Sequence, residues 1–150
     1  MQSKSIFHKI FFIFFVTTLF LGCAIQDTTT STLYIKKYCV GKGGGFTGNY
    51  LEFSFSEDGK VYKRDFVYER DVYYKDLSAQ DLSYFVEQIK SLGLESAELN
   101  SPGNISKYFE IRERETTINK LIWDGGYNNA PQKINNFHDE LYKKLSELPE

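Results

Sequence analysis

Leu51, Phe53 and Phe55 alternate with Glu52 and Ser54 across residues 50–56, a period-two pattern that predicts a strand with one buried face. Residues 33–40 precede it as a first strand. After Glu57-Asp58-Gly59, a tight turn ending in a residue tolerant of positive φ, residues 60–68 alternate again, so 50–68 predicts a β-hairpin. The period changes at Ser78. That serine can cap a helix and Asp81 suits its positive end, while Leu82, Phe85, Val86, Ile89 and Leu92 recur at helical intervals. Gly93 is placed to take a left-handed cap with Leu94 touching Ile89, which bounds the helix at about 79–92. A loop through Ser101-Pro102-Gly103-Asn104 leads to strands at 105–114 and 117–123, a second hairpin. Pro131 then fits the first turn of a closing helix with the stripe Ile134, Phe137, Leu141, Leu145 and Leu148.

Strands that come as hairpins and outnumber helices satisfy the layer rule as an open antiparallel sheet, not as βαβ units. The expected class is α+β: about five antiparallel strands in the order βββαββα, with two amphipathic helices packed on one face.

The first 23 residues follow a different logic. Lys4 and Lys9 precede an apolar run from Ile10 to Leu21, broken only by Thr17 and Thr18 and ending at Gly22-Cys23. A spanning helix needs about 20 apolar residues and a secretory signal only about 7 to 15, so this run reads as a signal peptide. Its end, Leu19-Phe20-Leu21-Gly22-Cys23, resembles the lipobox of bacterial lipoproteins. That resemblance implies cleavage before Cys23 and lipidation of its thiol, with several acyl chains giving a stable membrane anchor. The implied organisation is a signal peptide over 1–22, a lipidated cysteine with a polar tether over 23–32 ("QDTTTST" within it), and a single domain over 33–150. Ala24 in place of an aspartate resembles lipoproteins forwarded to an outer membrane, so the expected location is the cell envelope, on that membrane and facing the periplasm.

Cleavage removes two lysines and no acid, leaving 16 basic residues against 20 acidic ones. An acidic domain without a basic patch is no nucleic-acid binder. With Cys23 committed to lipid, Cys39 has no intramolecular partner, and its alternating apolar surroundings read as a small buried hydrophobe.

Gly43-Gly44-Gly45-Phe46-Thr47-Gly48 matches the letters of the dinucleotide fingerprint G-x-G-x-x-G. The fingerprint needs a helix N-terminus after it, because the free N–H groups there bind pyrophosphate, and here a strand follows. No Gly-Lys-Ser or Gly-Lys-Thr closes a P-loop either, so neither a nucleotide nor any other cofactor is expected. The glycines read first as a tight turn between two strands, with Phe46 and Thr47 as a core anchor or a presented contact. Gly44-Gly45-Phe46-Thr47-Gly48 near the start of a small domain, followed by hairpin strands, a helix after "LS", a strand pair and a closing helix, resembles emfourin-like inhibitors of thermolysin-like metalloproteases. That resemblance implies protease inhibition as an activity and an envelope metalloprotease as a partner; no inhibitory residues are carried over from it.

Catalytic patterns are missing from the residues themselves. His138 is the one histidine left after cleavage, no H-x-x-x-H or Cys/His cluster occurs, and no serine sits in a nucleophile elbow. His138 reads as a surface residue of the last helix, and no metal is expected. Aromatic and basic residues crowd one segment instead, with Tyr62, Arg64, Tyr68, Arg70 and Tyr73 as a contact surface suited to protein recognition. The expected function is a non-catalytic, membrane-anchored binding module, an inhibitor in the emfourin-like case. Its expected ligand surface is Gly43, Gly44, Gly45, Phe46, Thr47 and Gly48, with the tyrosine-rich segment second. A glycan- or peptidoglycan-binding lipoprotein is the alternative, since tyrosines also line sugar sites, and a small hydrolase stands behind both.

Overall fold

A computed structural model describes residues 35–45, 48–127 and 129–147. Phe46, Thr47, Leu148 and the segment 1–34, with Cys23 and the tether, lie outside the described residues. Among the described residues seven strands and two helices follow one another: β1 (Lys36–Gly44), β2 (Asn49–Ser56), β3 (Lys60–Asp65), β4 (Arg70–Asp76), α1 (Ala79–Ser91), β5 (Asn100–Ser101), β6 (Ile105–Glu113), β7 (Thr116–Asp124) and α2 (Gln132–Ser146). They form one sheet in the order β4-β3-β2-β1-β6-β7-β5.

The α+β class holds, and the strand count and sheet type are corrected. The stretch expected as one strand over 60–68 is two strands and a turn. Asp65 Oδ1 accepts hydrogen bonds from the N–H groups of Val67 (3.0 Å) and Tyr68 (3.2 Å), Glu69 takes a positive φ of 49°, and the chain reverses. Phe66-Val67-Tyr68 has strand-like composition, so the turn is set by one aspartate and not by a glycine or proline. The seventh strand, β5, is two residues long and runs parallel to β7, which makes the sheet mixed.

Helix α1 is bounded as its sequence requires. Ser78 Oγ accepts from Asp81 N (3.1 Å), and Gly93 at φ 63° lets Leu94 N reach Ile89 O (3.1 Å) while its own N–H reaches Lys90 O (3.0 Å). One face of the sheet contributes Tyr38, Val40, Phe53, Phe55, Val61, Phe109, Ile111, Leu121 and Trp123 to the core. Phe85 and Ile89 of α1 and Phe137, Leu141 and Leu145 of α2 close it from that same side. Both helices therefore cover one face.

The strand ladders also align the sheet's ends. Gly44 pairs with Asn49 and with Ile105, Ser106 with Asp124, and Asp65 with Arg70, so four connections meet at one end. These are the segments 45–48, 66–69, 102–104 and 125–131.

Candidate functional site

The four glycines of the expected turn belong to two different structures. Gly43 and Gly44 lie inside β1, extending it four residues beyond the expected strand end, and are paired on both sides. A side chain has no room there: a Cβ on Gly43 would meet Tyr50 Cα at 2.6 Å, and one on Gly44 would meet Asn104 O at 2.6 Å. These two glycines let β2, β1 and the chain before β6 approach closely. Gly45 (φ 72°) and Gly48 (φ 62°) flank the turn itself, closed by Gly48 N donating to Gly45 O at 3.2 Å.

Large apolar side chains are exposed around this turn. Tyr50 and Leu51 follow it, Phe66, Val67 (83% exposed) and Tyr68 form the β3–β4 tip, and Ile105 and Tyr127 (91% exposed) stand on the other side. Tyr127 is displayed from a braced loop: Asp124 Oδ1 accepts from Gly126 N (2.7 Å) and Tyr127 N (3.1 Å), and Asn129 ties Asp124 N to Ser101 O. Exposed rings on rigid supports are what protein-recognition surfaces use, because little rotamer freedom is lost on contact.

The tyrosine-rich set divides between two places. Tyr68 and Arg70 share the hairpin tip, with the guanidinium 5.2 Å from the ring centre. Tyr62, Arg64 and Tyr73 lie along β3 and β4, where Tyr62 and Tyr73 meet edge to face at 6.3 Å and Arg64 is committed to Asp71 at 3.2 Å. A groove of ≈ 590 Å³ joins the two expected surfaces, since Gly48, Asn49 and Tyr50 line it on one side and Lys63, Phe66 and Val72 on the other.

On the face away from the helices runs a charged network that the sequence pattern did not single out. Glu52 and Glu110 are 2% and 3% exposed. Arg112 bridges them, giving Nη1 and Nη2 to Glu52 (2.7 and 2.9 Å) and Nε and Nη2 to Glu110 (2.9 Å each). Thr117 Oγ1 and Lys120 Nζ complete Glu110, and Tyr108 Oη donates to Glu52 Oε2 at 2.7 Å. Tyr108 reaches Glu52 by lying across Gly41, where any side chain would enter its ring. Cys39 sits in the same face with no exposure, and burial pushes its thiol well above the ordinary range. It is a buried thiol, as expected.

His138 is corrected from a surface residue to a buried one. Its Nε2–H donates to Gly41 O (3.0 Å), which can only accept, and Nδ1 lies 3.1 Å from Asp139 Oδ1. Trp123 meets the imidazole edge to face and Tyr142 stacks on it. Asp139 also takes Lys107 at 2.7 Å. Among the described residues no group of three or more His, Cys, Asp or Glu side chains is placed to hold a metal ion.

No protein-family model matches the chain, and no curated protein matches it in sequence.

The two polar groups predict an acid-sensitive fold. Burial lowers His138 below its ordinary 6.5, outweighing the Gly41 and Asp139 hydrogen bonds that act the other way. Burial would raise Glu110, but hydrogen bonds from Arg112 and Thr117 and the charges of Arg112 and Lys120 hold it at about 2. Both shifts mean that the unfolded chain binds more protons than the folded one on acidification, so stability falls as pH falls. The His138 contribution is complete above pH 6.5 and fades below it; that of Glu110 is complete above its ordinary 4.5 and is lost toward 2. Urea melts from pH 7 to 3 should show falling stability, with about 2–3 kcal/mol attached to Glu110. A Glu110→Gln variant whose lower limb stayed as steep as wild type would contradict this assignment.

Proposed function

We propose that the chain is a non-catalytic, lipid-anchored binding module of the cell envelope that meets its target with the loop end of the sheet. The observation that carries this reading is the gathering at that end of seven exposed large apolar side chains, on two connections and the adjoining ends of β2 and β6, beside a groove that links the glycine turn to the tyrosine-rich hairpin. A concentration of exposed apolar side chains at one end of a domain is the ordinary signature of a recognition surface. The resemblance of the Gly44–Gly48 segment to emfourin-like inhibitors supplies the target to try first, a thermolysin-like metalloprotease. Detergent-solubilised full-length chain should inhibit such a protease at micromolar concentration or below; full proteolysis at that level would remove the inhibitor reading.

The glycan alternative draws less support from the rings at the groove. Tyr50 and Phe66 are inclined at 46°, and Tyr62 and Tyr73 at 80°, so neither pair makes the flat platform on which a sugar ring stacks. A glycan array read against a pull-down from envelope extract separates the two.

Anchoring through Cys23 on the outer membrane, facing the periplasm, belongs to the same proposal. Its support is the order of basic, apolar and small residues before that cysteine. Intact-mass measurement should find acyl mass on a chain that begins at Cys23, and Cys23→Ser should accumulate as the longer precursor. A mutant processed to the wild-type size would refute lipidation.

A further inference from the structure

The ladder between β2 and β3 is short. It joins Phe53 to Lys63, Ser54 to Tyr62 and Phe55 to Val61, and goes no further, although β2 extends to Asn49 and β3 to Asp65. Residues 49–52 are paired to β1 along their other side without a break. The two strands are unpaired toward the loop end, and the ≈ 590 Å³ groove opens there, with Gly48, Asn49 and Tyr50 on the β2 side and residues 63–67 and 72–74 on the hairpin side. Tyr50 and Phe66, with ring centres 6.1 Å apart, stand at its mouth.

We infer that this gap is a strand-addition site, taking an extended segment of the partner protein between residues 49–52 of β2 and the β3–β4 hairpin. Backbone N–H and C=O groups seek partners wherever a strand edge is left unpaired, and main-chain pairing to such an edge is a recurrent mode of peptide recognition. Side chains of an added strand would alternate between the two faces of the gap. Exposed Val72 and the Tyr50–Phe66 pair offer apolar contacts. Lys63 lines the groove and is exposed, and its ammonium group makes no hydrogen bond or ion pair with another described residue. The two neighbouring carboxylates are engaged, Asp65 with the turn N–H groups and Arg70, and Asp71 with Lys37 and Arg64. The fitting segment is thus extended, apolar on alternate residues, and acidic beside Lys63.

This inference rests on the binding-module reading only in assigning the groove to a protein partner; it does not require that partner to be a protease. The test is a displayed library of linear dodecapeptides panned on the detergent-solubilised full-length chain. Enriched sequences should alternate apolar residues and carry Asp or Glu. A synthetic representative should lose at least tenfold in affinity when alternate backbone nitrogens are methylated, and a similar factor against Lys63→Glu, whose melting temperature is the check on folding. Amide exchange at residues 49–52 should slow when the peptide is bound. No enrichment over the Lys63→Glu chain, or enriched peptides indifferent to N-methylation, would overturn the inference. Peptide capture without protease inhibition would defeat the inhibitor reading and keep the groove; inhibition unchanged by Lys63→Glu, with no captured peptide, would defeat the groove alone.

Discussion

Replacing Arg112 by methionine should destabilise the domain by about 3–5 kcal/mol at neutral pH, the cost of leaving buried carboxylates without their cation. Glu52 and Glu110 have almost no exposure, and Arg112 satisfies an oxygen pair on each. Methionine keeps much of the length and none of the charge. Tyr108, Thr117 and Lys120 remain as partners, but one hydroxyl on Glu52 cannot replace a bidentate guanidinium. The deficit should narrow on acidification, because protonating Glu110 removes charge that the variant cannot balance. It should also shrink in the triple variant Glu52→Gln, Glu110→Gln, Arg112→Met, in which no buried ion is left unpaired and the half-exposed Lys120 ammonium turns to solvent. Urea denaturation of all three proteins at pH 7 and pH 4.5 decides it. Equal losses in the single and triple variants would mean that the network matters through shape and not through charge.

Gly41→Val should cost about 3 kcal/mol, and its partner is predictable. The Tyr108 ring occupies the space a side chain would take, and it is 4% exposed, with its hydroxyl on Glu52. Valine forces the ring outward, which adds the cost of overpacking to the loss of a buried hydrogen bond. On the opposite face the carbonyl of Gly41 accepts from His138, so displacement of the strand would be felt there also. In a double-mutant cycle Tyr108→Ala should be markedly less harmful in the Gly41→Val background than in wild type, since the clash is relieved. Strict additivity would show that the ring does not depend on the glycine.

How far such features can be read beforehand depends on whether their cause is local. The α1 boundaries were legible because Ser78, Asp81, Gly93 and Leu94 act within one turn of the helix ends. The β3–β4 turn was not, since Asp65 turns a chain whose next three residues have strand composition. β5 owes its existence to β7, across more than twenty residues, and no local pattern marks it. The candidate surface was legible in pieces. The glycine turn and the aromatic segment each stood out, but their meeting across a groove depends on register, and Tyr127 is braced by Asp124 and Asn129 in a loop without periodicity. The Glu52–Arg112–Glu110 network shows in sequence only as polar residues on the strands' second face; its burial follows from Tyr108 and Arg112 lying over their neighbours. His138 was misplaced for a similar reason, because the stripe of an amphipathic helix says which residues are apolar and not which polar one is folded beneath Trp123 and Tyr142.

The central claim is that the loop end of the sheet is the working surface, and a paired set of surface variants in one inhibition assay addresses it directly. Val67→Asp and Tyr127→Ala change the most exposed apolar residues of that end, whereas Glu57→Ser and Glu115→Ser change exposed residues at the other. All four should melt within a few degrees of wild type, since surface substitutions away from special features move stability by about 0.5 kcal/mol or less. Against a thermolysin-like metalloprotease the first two should weaken inhibition by about 1–4 kcal/mol, the range of an interface anchor, and the other two should leave it unchanged. Equal inhibition by all four variants, or a loss confined to Glu57→Ser and Glu115→Ser, would contradict the account.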